Sequence, residues 1–215
     1  MHELTQLIKS DMKPALGVTE PGAIAFAVST AKSYLTGDVK KVLLRLNSGM
    51  YKNAFTCGIP GSSHVGNIYA AALGAVAGRP EKGLESLADV TEADNAAAER
   101  MVAAGMVEAK MTEITSRIFI EATVTTESGE AVVTIRDSHT NIVRITVNGE
   151  TVLSKEEETA GEAETKPLIH SYTLEQIYEY IDTVDVEEIR FIGDAFRMNY
   201  ELFEEGLNSP RTTYA

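Results

Sequence analysis

Residues 117–154, RIFIEATVTTESGEAVVTIRDSHTNIVRITVNGETVLS, decide the fold class, because apolar and polar side chains alternate along them and turn residues interrupt the alternation. A period of two puts every second side chain on one face of an extended chain. Strands are therefore expected over Arg117–Thr125, Ala131–Asp137, Asn141–Val147 and Thr151–Leu153, with Val107–Met111 ahead of them. Ser128-Gly129 and Asn148-Gly149 supply turns, and Asn-Gly is a strong hairpin signal because both residues accept positive φ. The region 106–154 thus predicts an antiparallel meander with one packed face.

On either side of this stretch the period lengthens to that of a helix. Leu4, Leu7, Ile8 and Met12 share a face over Glu3–Met12, and Ile24, Ala25, Val28, Ala31 and Leu35 share one over Gly22–Leu35. These two segments are expected as a helical hairpin around the polar loop between them. Val39–Leu46 alternates around Val42, Leu44 and Leu46 with basic residues between, the pattern of a strand with one solvated face. Residues 65–78 are rich in alanine and glycine, which suits a helix packed closely on its neighbours. Two helices are expected over 81–105, the second opened by Thr91 with Asp94 three residues on, a variant of the capping box. Residues 155–167 are acidic and aperiodic and predict a mobile loop. Helices follow over Leu174–Thr183 and Val186–Leu207, the latter with Ile189, Ile192, Phe196, Tyr200 and Phe203 as a core-facing stripe. The expected class is α+β: a helical N-terminal part, a central meander and C-terminal helices packed on the sheet, all in one domain over 1–215.

Composition narrows the function. The 19 basic and 32 acidic side chains leave a net charge of −13, and no lysine or arginine cluster suits a phosphate backbone, so nucleic acid is not an expected partner. No window approaches the ~18 apolar residues of a membrane span, and Met1-His2-Glu3-Leu4 has no signal-peptide pattern, so a cytoplasmic protein is expected. The sole cysteine, Cys57, excludes an internal disulfide and any multi-cysteine site built from these residues alone. No dinucleotide, Walker, zinc-protease or nucleophile-elbow motif occurs, which removes the common nucleotide enzymes and hydrolases.

Chemistry-bearing residues gather in four loops. Lys13-Pro14-Ala15-Leu16-Gly17-Val18-Thr19-Glu20-Pro21-Gly22 is a rigid polar loop leading into an apolar helix, with Thr19 a good N-cap type and Glu20 beside amides that favour anions. A well-capped helix start explains it as well as a site does. Asn47, Lys52 and Asn53 flank a strand end, where the lysine could meet a carboxylate and the asparagines could bond a ligand or cap the turn. Gly61-Ser62-Ser63-His64-Val65-Gly66 enters a helix and could cradle an anion, with His64 as a general base or merely a turn residue. His139-Thr140-Asn141 lies at a strand end, as a rim of a site or as a plain turn. Cys57 precedes a Pro-Gly turn, and a buried inert thiol is the simplest account of it.

Together with Asn47-Ser48-Gly49-Met50-Tyr51-Lys52-Asn53-Ala54 and Ile59-Pro60-Gly61 through Ala75, these loops resemble, in order and spacing, the N-terminal half of the L-cysteine desulfidase family. That family is related to the iron–sulfur L-serine dehydratases, and the similarity runs from about Met12 to Leu207. Ser62-Ser63-His64 is also similar to the substrate loop of the dehydratases. The resemblance implies a longer enzyme holding a 4Fe–4S cluster through three cysteines, one in the N-terminal loop and two in a C-terminal half, with one iron open to substrate. It further implies β-elimination from L-cysteine or L-serine, with His64 catalytic and Thr19, Glu20, Asn47, Lys52, Asn53, Ser62, Ser63, His139 and Asn141 on the substrate. The family's Gly-Cys-Thr-Glu-Pro reads Gly17-Val18-Thr19-Glu20-Pro21 here, so an isopropyl group stands where a thiolate ligand is expected. No metal ligand is assigned in this chain unless Cys57 approaches from the neighbouring loop. The expected partners are a small amino acid and a cluster-bearing C-terminal half or subunit, with a homo-oligomer left open. The competing reading is a domain that binds a small acid or a protein without catalysis.

Overall fold

The computed structural model describes residues 1–12, 18–112, 114–115, 117–155 and 167–209. In chain order the elements are α1 (Glu3–Asp11), α2 (Thr19–Ser33), β1 (Val39–Leu46), α3 (Ser48–Ala54), α4 (Asn67–Val76), a 3-10 helix (Pro80–Glu85) and α5 (Glu92–Ala103). Next come β2 (Val107–Met111), β3 (Phe119–Thr126), β4 (Gly129–Arg136), β5 (Ile142–Val147) and β6 (Glu150–Ser154). A 3-10 helix (Leu168–Ser171), α6 (Leu174–Thr183), α7 (Val186–Ile189) and α8 (Ile192–Asn208) complete the chain, and the fold is α+β. The expected mobile loop over 155–167 falls almost wholly on 156–166, outside the described residues, as do residues 13–17 of the loop over 13–22.

Where one domain is expected over 1–215, the chain divides into two compact units, Ala15–Glu157 and Met1–Pro14 with Glu158–Ala215. The helices α1 and α2, expected as a hairpin, fall in different units.

The larger unit is built on a six-stranded sheet in the order β2-β1-β3-β4-β5-β6. From β3 to β6 it is the expected antiparallel meander. Asn148 and Gly149 both take positive φ, 51° and 84°, as a two-residue hairpin turn requires. The strand β2 departs from expectation: it lies at the edge and runs parallel to β1, with Val42 opposite Val107. Alternation specifies a strand but not its direction. The helical connection from α3 to α5 carries the chain back to the starting end of the sheet, and a strand entering from there is parallel. Inserted between β2 and β3, β1 pairs antiparallel with β3.

One face of this sheet forms the core. Val42, Leu44 and Leu46 of β1, Ile120, Ala122 and Val124 of β3, and Ala131, Val133 and Ile135 of β4 are fully buried. They pack in one cluster with Ala23, Ile24, Ala27, Val28 and Ala31 of α2 and Ala70–Leu73 of α4. Small residues let α2 and α4 approach closely: a Cβ added at Gly74 would stand 2.8 Å from the Cα of Ala25. The Thr91–Asp94 capping box forms at the start of α5, as expected.

In the smaller unit, Thr5 Oγ1 of α1 lies 2.8 Å from the Tyr180 hydroxyl of α6 and donates to Glu188 Oε1 at 2.7 Å. His2 Nδ1 accepts from Leu4 N and so caps α1. Two expectations fail here. The helix over Val186–Leu207 is broken into α7 and α8 at Arg190-Phe191, and of the stripe expected to face a core Ile189 is half-buried while Ile192, Phe196, Tyr200 and Phe203 are exposed, Phe196 at 71% and Phe203 at 57%. No residue of α8 is buried.

Candidate functional site

The site begins where α2 begins. Val18 is the N-cap residue, with no side-chain hydrogen bond to offer, and Thr19 is the first helical residue instead of the cap its type suggests. Pro21 fits in the first turn because amides there have no partner within the helix. Freed from capping, the Thr19 hydroxyl lies 3.3 Å from His139 Nε2, which the β4–β5 turn delivers from 120 residues away.

A string of hydrogen bonds then leads from α2 to α4. Asn53 Nδ2 donates to Glu20 Oε1 at 2.9 Å, and the Cys57 thiol donates to the Asn53 carbonyl at 2.6 Å. The Cys57 carbonyl accepts from Gly66 N at 3.0 Å. Gly66, with φ of 94°, caps α4, and a Cβ there would meet the Phe55 carbonyl oxygen at 2.7 Å. Only glycine joins this loop to α4 in this conformation.

The two helices run in the same direction. Gly74 abuts Ala25 and, four residues on in both chains, Gly78 abuts Ser29. Asn67 stands seven residues before Gly74 and Val18 seven before Ala25, so the contact sits about 10 Å along each helix from its start. The positive dipole end at the start of each helix favours an anion there. Asn67, the first residue of α4, is 3% exposed, yet its Nδ2 has no hydrogen-bond partner among the described residues. Buried amides are nearly always bonded, so a lone donor at the N-terminus of α4 calls for an acceptor.

The other residues expected at the site are placed as follows. His64 lies two residues before the α4 cap, its Nε2 2.7 Å from Glu99 Oε1 and its ring stacked on Tyr69 at 4.1 Å. With Nε2–H donating to Glu99, Nδ1 is the nitrogen left to accept a proton. Ser62 Oγ accepts from His64 N and holds the turn, while Ser63 is exposed beside it. Lys52 is exposed at the end of α3. Asn47 is 1% exposed, and its amide donates to the Thr115 carbonyl and accepts from Phe119 N, so it ties β1 to the start of β3. Asn141 likewise closes its own turn, donating to the Arg136 carbonyl and accepting from Lys155. Sequence reasoning missed Asn67 and Glu99, since an asparagine opening a helix reads as a cap and a glutamate on a helix reads as solvated.

A cluster ligand does not fit what this chain offers. Val18 is half-exposed and without a donor atom, and the lone Cys57 is held as a thiol. Burial raises the Cys57 pKa above its ordinary value, and the Glu20 carboxylate raises it further. Among the described residues no three His, Cys, Asp or Glu side chains gather as metal ligands. Among the described residues, too, no helix is long and apolar enough to cross a membrane.

No family model matches the chain. It is similar to UPF0597 proteins, among them one from Dichelobacter nodosus, 35% identical over 213 residues, which are 99% of this chain and 48% of that protein. Another, from Caldanaerobacter subterraneus, is 35% identical over 206 residues, 95% of this chain and 49% of that protein. A third, from Klebsiella pneumoniae, is 36% identical over 200 residues, 93% of this chain and 46% of that protein. The chain thus spans about half the length of the curated relatives it matches.

Proposed function

We propose that this chain is the substrate-side half of a lyase that performs β-elimination on L-cysteine or L-serine, as its resemblance to the L-cysteine desulfidases implies. The observation that carries this reading is the buried, unpartnered Asn67 amide at the first residue of α4. A substrate α-carboxylate supplies the acceptor that Asn67 lacks and the negative charge that the start of α4 favours. Glu20 Oε2 is available to an α-ammonium group, and the Thr19 hydroxyl meets His139 one residue away. His64, oriented by Glu99, is the base for the α-proton. The C–H electron pair becomes the Cα–Cβ double bond as sulfide or hydroxide leaves with its own pair, and the aminoacrylate hydrolyses to pyruvate and ammonia. Among the described residues no metal-ligating or cationic group stands with Asn67 and His64 to receive the leaving group. That task, and the 4Fe–4S cluster of the resembling family, belong to a complementary half, and this chain alone is inactive. A cytoplasmic site of action accompanies this reading, since the single cysteine requires no oxidising compartment.

Isothermal calorimetry of the chain against L-serine and L-cysteine tests this directly. Binding of either, weakened at least tenfold in Asn67→Ala with no loss of fold stability, is the expected result. No heat with either amino acid, or equal affinity in the variant, refutes it. The second reading, a small-acid binding domain without catalysis, is favoured by Val18 and the protonated Cys57. It predicts that adding a cysteine-bearing complementary half under anaerobic iron–sulfur reconstitution yields no pyruvate.

A further inference from the structure

The loop that carries His64 bonds to itself at its base and near its tip. Gly58 pairs with Val65, and Gly66 N donates to the Cys57 carbonyl at 3.0 Å. At the tip, Ser62 N donates to the Ile59 carbonyl at 3.1 Å. Two side chains of α5, one turn apart, bond to this loop from outside it. Asn95 Nδ2 donates to the Gly61 carbonyl at 2.9 Å, and Glu99 Oε1 lies 2.7 Å from His64 Nε2.

These two anchors are unequal. The Glu99 side chain is 54% exposed, and a carboxylate so open to water holds a partner weakly. Asn95 is 6% exposed, so its amide bonds to Gly61 largely shielded from competing water. The same Nδ2 donates to the Thr91 carbonyl at 3.1 Å, one turn earlier in α5, which fixes where it points. Gly61 lets the loop come within reach: its φ is 71°, and a Cβ there would meet Val90 Cβ at 3.2 Å and Val90 O at 3.3 Å. Burial of Asn95 carries a cost, because its Oδ1 has no hydrogen-bond partner among the described residues. An apolar side chain would fill this face of α5 without that cost, as the buried Ala98 does three residues on. What asparagine adds is the hold on Gly61. His64 follows three residues later, its ring nearly parallel to that of Tyr69, with 5° between planes and 4.1 Å between centroids. A loop tip released from α5 carries that ring away from both Tyr69 and Glu99.

We propose that Asn95 is a positioning residue: by holding the Gly61 carbonyl it sets the His64 ring against Glu99 and Tyr69 and leaves Nδ1 as the nitrogen that takes a proton. The chemical purpose rests on the reading of His64 as the base, but the test reads the ring itself. Nuclear magnetic resonance of the full chain, with His64 assigned through His64→Gln, measures the cross-peaks between the His64 and Tyr69 rings and the coupling across the hydrogen bond from Asn95 Nδ2 to the Gly61 carbonyl carbon. Asn95→Ala, and Asn95→Asp, which keeps the shape but offers Gly61 no donor, should each weaken the ring cross-peaks at least threefold. Thr91→Ala loosens the start of α5 but keeps the Asn95 amide, and should leave them unchanged. The coupling on the unsubstituted chain decides the matter should an Asn95 variant misfold. No such coupling, ring cross-peaks that survive both Asn95 substitutions, or an equal loss in Thr91→Ala overturns the proposal. Calorimetry on the same samples keeps the two readings apart: ring cross-peaks that depend on Asn95 in a chain that binds neither L-serine nor L-cysteine sink the lyase and leave the positioning of His64 standing.

Discussion

Substituting Gly74 by alanine probes the feature on which the site depends, the close same-direction approach of α2 and α4. In an open helical position this change stabilises by about 1 kcal/mol, because glycine gives up more backbone freedom than alanine. Here the new Cβ would stand 2.8 Å from Ala25 Cα, 2.9 Å from Ala25 O and 3.2 Å from Val28 Cβ. Ordinary contact begins at 3.4 Å, and the first two obstacles are backbone, so the helices must part by about 0.6 Å. Overpacking of this kind costs about 1–3 kcal/mol, which outweighs the propensity gain and leaves a net loss of about 1 kcal/mol. For a protein of this size that is a fall in Tm of about 2–4 °C. Urea unfolding followed by circular dichroism reads it, with Gly193→Ala as the control. Gly193 lies in the first turn of α8 with nothing near its absent Cβ, so alanine there should raise helix stability by about 0.5 kcal/mol. The same parting moves the two N-termini, so L-serine affinity should fall with stability in Gly74→Ala. A rise in Tm on Gly74→Ala, matching the control, would refute the packing.

Three further outcomes follow from named contacts. Glu20→Gln removes the charge that helps raise the Cys57 pKa, so iodoacetamide should label Cys57 faster than in the unsubstituted chain at mildly alkaline pH; equal rates would place Glu20 away from the thiol. Glu188 accepts from Thr5 and from His2 N, and these bonds hold its pKa below the ordinary carboxylate value. Its contribution is present above the unfolded-state pKa and is lost as pH falls through the folded one, so acid should loosen the α1–α7 contacts, and Glu188→Gln should flatten that dependence in an acid titration followed by hydrogen exchange. Thr91→Ala removes the acceptor for Asp94 N at the start of α5 and should cost about 1 kcal/mol in thermal unfolding. An unchanged Tm there would show that the cap is redundant.

Local pattern made much of this protein legible. The alternation over 117–154 and the Asn148-Gly149 turn specify β3 to β6 because a strand's faces and a two-residue turn are properties of neighbouring residues, as is the Thr91–Asp94 cap. The loops at Thr19, Asn53 and His139 could be named as candidates for the same reason: each joins an element end to residues with hydrogen-bonding side chains. What no local pattern carries is pairing across the chain. The parallel entry of β2, the meeting of Thr19 with His139, and the close approach of Gly74 to Ala25 each depend on how elements pack far apart in sequence. Asn47 shows the same limit from the other side, since its amide is spent on Thr115 and Phe119 in a way its neighbours do not announce. The stripe on α8 has the helical period of a core face, yet a period only says that a face will be covered. Which surface covers it is decided by packing between elements, and packing is not a property of neighbouring residues.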